Sequence, residues 1–179
     1  EIRSALRAAT IDAKIVPVLC GSALKNKGVQ ALLDAIVEYL PSPADIQGTQ
    51  GIDAKTQSDI LIPYDKKEFS ALVFKAVADP FIGRLVYFRV YSGELKTGDT
   101  IYNSTTGRKE RIGRIVRMHA QTREDMDFVK SGDIAAVVGA KNATTGDTLS
   151  SPDSPVILEK INFPAPVMSI SIEPKTKVD

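Results

Sequence analysis

One cysteine, one histidine and no tryptophan occur in 179 residues. A lone Cys20 rules out an internal disulfide and fits a reducing compartment. Placed at the end of an apolar run, it reads as a small core residue. His119 has no nucleophile or metal set patterned around it, so it reads as a surface or packed histidine. No apolar run approaches the roughly 20 residues that span a bilayer, and no signal peptide is visible. No membrane contact and a cytoplasmic location are therefore expected. Neither sign of charge dominates: the net is +1, so composition alone calls for neither DNA nor an acidic substrate. A phosphate loop, GxxxxGK[ST], is missing too. Without its successive amides and lysine, a nucleoside triphosphate has no cradle. Asn26-Lys27 looks like the start of an NKxD base-binding motif, but Val29 stands where the acid should be. No catalysis, no cofactor and no metal are expected of these residues.

What is present is ordinary for a globular chain: 43% apolar and 25% charged. That suffices for a domain of about 100–150 residues plus an extra piece. Residues 1–43 have α/β character. "EIRSALRAAT" suits the end of a helix, and "KIVPVLC" (14–20), apolar on both faces, reads as a buried strand at a sheet edge because of Pro17. A helix is expected from about Gly28 to Tyr39. Val29, Leu32, Leu33, Ile36, Val37 and Leu40 form one stripe at helical spacing, and Pro41 and Pro43 stop it. Residues 44–60 are polar and rich in Gly and Gln, which reads as a linker.

From 61 to 163 the character changes. Segments 69–80, 84–93, 99–104, 108–118 and 132–139 are strand-length, β-branched and bounded by turn residues. Gly98-Asp99, Gly132-Asp133 and Gly146-Asp147 each suit a tight turn, since Gly permits positive φ and Asp can bond its local backbone. Residues 104–109 read as a hairpin loop. Such spacing without long helices predicts a mainly β fold, a closed antiparallel β-barrel, in which closure removes exposed edges. Residues 164–179 hold one more strand (167–173) behind Pro164 and Pro166. The chain starts at Glu1 and ends in "IEPKTKVD"; both ends are expected to be cuts through a longer protein.

Two stretches carry functional signals. "VPVLCGSALKNKGVQ" orders strand, small polar loop and helix as in the guanine-contacting segment of a GTPase, with Gly21, Ser22 and Ala23 in the loop. A plain turn between strand and helix accounts for the same residues. The other signal is charge. Between Arg84 and Arg123 nine basic residues stand against three acidic ones. Arg108, Lys109, Arg111, Arg114 and Arg117 crowd one hairpin and its continuation. Such a strip can contact phosphates without reading sequence; a solvated barrel face is the plain alternative.

"RVYSGELKTGD", "GDIAAVVGAKNATTGDTL" and "FPAPVMSISIEPKTKVD" resemble the elongation factor G family of bacterial translational GTPases. The resemblance implies a division: 1–43 as the end of a GTPase domain, 44–60 as linker, 61–163 as the β-barrel second domain, and 164–179 as the start of a third. It implies that GTP and magnesium are bound by the parent protein outside this chain, whose role is GTP-driven translocation on the ribosome. Gly21, Ser22 and Ala23 would then be a guanine-loop remnant. The five basic residues would face small-subunit ribosomal RNA. Asp79, Pro80, Phe81, Gly83 and Arg84 would face the GTPase switch. Its implied partners are ribosomal RNA and the parent's own GTPase and third domains. Two other readings remain open: residual guanine-nucleotide binding, and a free-standing barrel module with a small-molecule ligand in its mouth.

Overall fold

The computed structural model describes residues 1–79, 82–120, 122–159, 167–168 and 170–171. Pro80, Phe81 and residues 169, 172 and 173 of the strand read at 167–173 lie outside the described residues.

Two helices open the chain: α1 (Ile2–Ile11) and α2 (Val29–Tyr39). Gly28, at φ +77°, caps α2 in the left-handed region that glycine enters at no steric cost. The helices meet around Ala35, the one buried residue of α2. Arg7 ties the pair together and to the turn after α2, donating to Glu38 O (2.9 Å) and to Asp45 Oδ2 (2.6 Å). The expected stripe forms, but no described element covers it, and Leu32, Leu33, Ile36, Val37 and Leu40 are exposed.

The strand read at 14–20 does not form. A strand needs a ladder partner, and among the described residues none lies beside this segment. Val16 and Val18 are 83% and 91% exposed. Cys20, read as a core residue, is exposed for the same reason.

The rest of the chain is antiparallel β-structure. In order come β1 (Thr49–Asp53), β2 (Asp59–Ile62), β3 (Ser70–Asp79), β4 (Gly83–Ser92), β5 (Glu94–Lys96), β6 (Thr100–Asn103) and β7 (Arg108–Arg111). Then follow β8 (Arg114–His119), β9 (Thr122–Met126), β10 (Phe128–Lys130), β11 (Ile134–Val138), β12 (Thr148–Ser150) and β13 (Val156–Leu158). The span read as linker thus contains β1 and the start of β2. Its polarity misled, because β1 lies between β13 and β2 in a three-stranded sheet and buries only part of one face. The segment read as one strand over 108–118 is two, broken at Ile112-Gly113.

Eight strands form the main sheet in the order β7-β6-β12-β3-β4-β11-β8-β9, and β5 pairs with β10. Alternate residues point inward, so Ala71 and Val73 of β3 sit opposite Val90 and Phe88 of β4. Strands β3, β4, β6, β8, β11 and β12 of this sheet, with β5 and β10, contribute to one interior that includes Phe88, Leu95, Ile101, Ile115, Val129 and Leu149. A single core shared this way requires the sheet to curl round it, the mainly β, antiparallel barrel class expected from sequence. An extra residue between Val73 and Lys75 bends β3. No ladder joins β7 to β9 among the described residues. Their ends are tied instead through one turn: Gly98 N donates to Ile112 O (2.8 Å) and Thr97 N to Asp127 O (2.9 Å).

Among the described residues no helix is long and apolar enough to cross a membrane.

Candidate nucleic-acid interface

The basic hairpin is positioned by pairing rules. β7 lies antiparallel to β6, with Ile101 opposite Glu110 and Asn103 opposite Arg108. Ile101 and Asn103 are buried, so Arg108 and Glu110 lean toward the barrel interior at its rim. Lys109 and Arg111 stand on the other face, toward solvent. The Lys109 side chain makes no hydrogen bond or ion pair among the described residues, and the Arg111 side chain donates only through Nε, to Gly98 O at 3.3 Å.

β8 behaves differently, because β9 lays acidic residues along it. Arg114 makes a two-pronged contact with Asp125 Oδ1 (Nη2 at 2.7 Å, Nε at 3.2 Å). Arg117 is directly opposite Glu124. The acidic run Glu124, Asp125, Asp127 begins one residue beyond the basic strip counted in the sequence. Strand pairing folds it back onto that strip. The predicted set of five is therefore split. Lys109 and Arg111 remain open, Arg114 is paired, Arg117 faces Glu124 across the ladder without an ion pair among the described residues, and Arg108 is turned inward, 3.4 Å from Asn142 Oδ1.

The second predicted group is also reassigned in part. Gly83 opens β4 with φ +82° and no neighbour near an added Cβ. Asp79 accepts from Ile82 N (3.2 Å) and pairs with Arg123 (2.6 Å), which removes another cation from the strip. Arg84 does not project as a free contact. Its Nη1 donates to Lys141 O (2.8 Å) and its Nη2 to Ala143 O (2.6 Å). Sequence reasoning missed this clamp, since a guanidinium's backbone partners leave no pattern in the chain.

At Gly21, Ser22 and Ala23 the structure builds a small hairpin. Ser22 N donates to Lys27 O (2.9 Å) and Lys27 N to Ser22 O (3.0 Å), with Asn26 at φ +50°. A Cβ on Gly21 would come 2.8 Å from Lys27 O. Close backbone approach therefore accounts for that glycine. The Ala23 N–H makes no hydrogen bond among the described residues.

Among the described residues no group of three or more His, Cys, Asp or Glu side chains could hold a metal ion. His119 is exposed and pairs in register with Thr122.

Residues 83–150 match the family described as elongation factor Tu domain 2. The barrel segment resembles a translation-factor domain. That span runs from β4 to β12 and supports a relationship to translational GTPases. A crystal structure of a protein from Thermus thermophilus is similar in fold over 99% of this chain, with a TM-score of 0.70 and 24% sequence identity. The chain covers 24% of that protein's length, about a quarter. At this identity the likeness speaks to fold alone. It extends the domain-2 likeness in shape to α1, α2 and the β1-β2-β13 sheet.

Proposed function

We propose that this chain is the non-catalytic barrel segment of a ribosomal translation factor of the elongation factor G type. In this reading the barrel docks on small-subunit ribosomal RNA and against an adjoining GTPase domain in the cytoplasm. GTP and magnesium are handled elsewhere in a longer protein. The domain-2 match of residues 83–150 carries the reading. The outward face of β7, with Lys109 and Arg111 free to meet phosphates, supports the docking side, since phosphate contacts set position without reading sequence.

The test is binding to purified small ribosomal subunits across a potassium chloride series at fixed magnesium. Affinity should fall linearly with salt on a log–log scale. Replacing Lys109→Glu with Arg111→Glu should weaken binding by about tenfold or more, because two phosphate contacts become repulsions. Binding that ignores both salt and the double charge reversal would overturn the docking assignment.

A further inference from the structure

The turn between β11 and β12 closes one end of the barrel. It sends Ala140 and Ala143 into the core, where they are buried, while Lys141 and Asn142 stay exposed. Three side chains from the rim hold its exposed part. Arg84 grips the carbonyls of Lys141 and Ala143. Glu110 Oε1 accepts from Asn142 N (2.7 Å), and Arg108 reaches Asn142 Oδ1 (3.4 Å). Arg84 follows the inward register of Val86, Phe88 and Val90 and sits at the end of the strand, where that register runs out over the turn. Its planar fork suits carbonyls two residues apart; a lysine ammonium is a point charge and cannot span them in the same way.

We propose that Arg84 is a positioning residue for phosphate contact. By fixing the 139–146 turn it holds Lys141 exposed at the rim, one residue before the Asn142 that meets Arg108 and Glu110. Lys141 is the group that meets a phosphodiester. Arg84 never does, because its charge is directed at backbone oxygens. This rests on the RNA-docking reading given above.

The two ideas separate experimentally. Binding of the full chain to purified small ribosomal subunits is measured over the same salt series. Lys141→Ala should make the log–log slope shallower by about 0.7 to 0.9, the signature of one lost phosphate contact. Arg84→Lys keeps the charge but loses the fork, and should give the same fall. The double substitution should add nothing further, because both act on one contact. A direct Arg84 contact would instead be rescued by lysine and would add to Lys141→Ala; either result overturns the proposal. An unchanged slope in Lys141→Ala overturns it even if Arg84→Lys fails to fold. If the unaltered chain does not bind subunits, the docking reading falls by itself. Hydrogen exchange at Thr144, Gly146 and Asp147 then decides the clamp: faster exchange in Arg84→Lys upholds it, and unchanged exchange rejects it.

Discussion

Asp45 shows how local geometry sets a single charge. Its carboxylate accepts the Ser42 amide (2.7 Å), the Ser42 hydroxyl (2.7 Å) and the Arg7 guanidinium (2.6 Å). Those donors, the Ser42 amide first, hold its pKa down from 3.8 to about 2. A depressed carboxylate stabilises the fold above its unfolded value and loses that contribution as pH falls through the folded one. The Arg7–Asp45 tie should therefore weaken between about pH 4 and pH 2. A carbon-detected NMR titration should place Asp45 near 2, and Ser42→Ala should move it back toward 3.8. A midpoint at or above 3.8 in the unaltered chain would contradict the hydrogen-bond pattern. Glycines offer a second test at this scale. A Cβ on Gly93 would come 2.6 Å from Lys67 O, Glu68 C and Phe69 N, whereas one on Gly98 meets nothing within 4 Å. Both have positive φ, which costs a side chain about 1–2 kcal/mol. Gly98→Ala should cost about that much in urea unfolding, and Gly93→Ala distinctly more, because the atoms it meets are backbone. In the core, Phe88 is fully buried and stacks edge-on to Phe69 with ring centroids 6.4 Å apart. Phe88→Ala should lose about 3–5 kcal/mol by the same measurement.

Among elements, one turn is used three times. In each of Lys96–Asp99, Lys130–Asp133 and Thr144–Asp147 the Asp amide donates to the carbonyl three residues back. Its carboxylate accepts that same residue's amide, at 2.8, 3.0 and 2.8 Å. The glycine before each Asp has φ between +93° and +95°. Gly-Asp in the sequence announced this device, because few other pairs satisfy both demands. The β7–β8 segment was less legible. Its cations are plain in the chain, but which of them are neutralised depends on β9 pairing back across β8. Exposed pairs such as Arg114–Asp125 contribute about 0.2–1 kcal/mol, so their main effect is to remove charge from the face. At the other end, the uncovered stripe of α2 and the segment 15–19 form a large apolar surface of the kind that drives association. The full chain should self-associate in light scattering, and a chain beginning at Gly48 should not. The cut must spare β1, since β1 bridges β2 and β13. Equal scattering from both chains would show that the helices are not the adhesive part.

At the scale of the molecule, two structures of unequal solidity share one chain. The barrel has a continuous buried interior; the helical segment has one buried residue in its two helices, Ala35. Unfolding followed by hydrogen exchange should therefore release α1 and α2 first and the β3–β4 ladder last. Calorimetry with GTP and with GDP should show no heat above dilution, since the sequence carries no GxxxxGK[ST] string to surround a triphosphate. Measurable binding would require a phosphate site built from residues that carry no recognisable motif.

Local residue order was enough for the mainly β class, the three Gly-Asp turns, the helix over 29–39 and the core strands β3, β4, β6 and β11. These follow from short-range rules, namely side-chain period, glycine's freedom at positive φ and proline's refusal to continue a helix. Only the folded arrangement settled which cations are open, that Arg84 clamps a turn, and that 14–20 finds no ladder among the described residues. Each of those depends on what the folded chain sets alongside a residue, and local spacing carries no record of it.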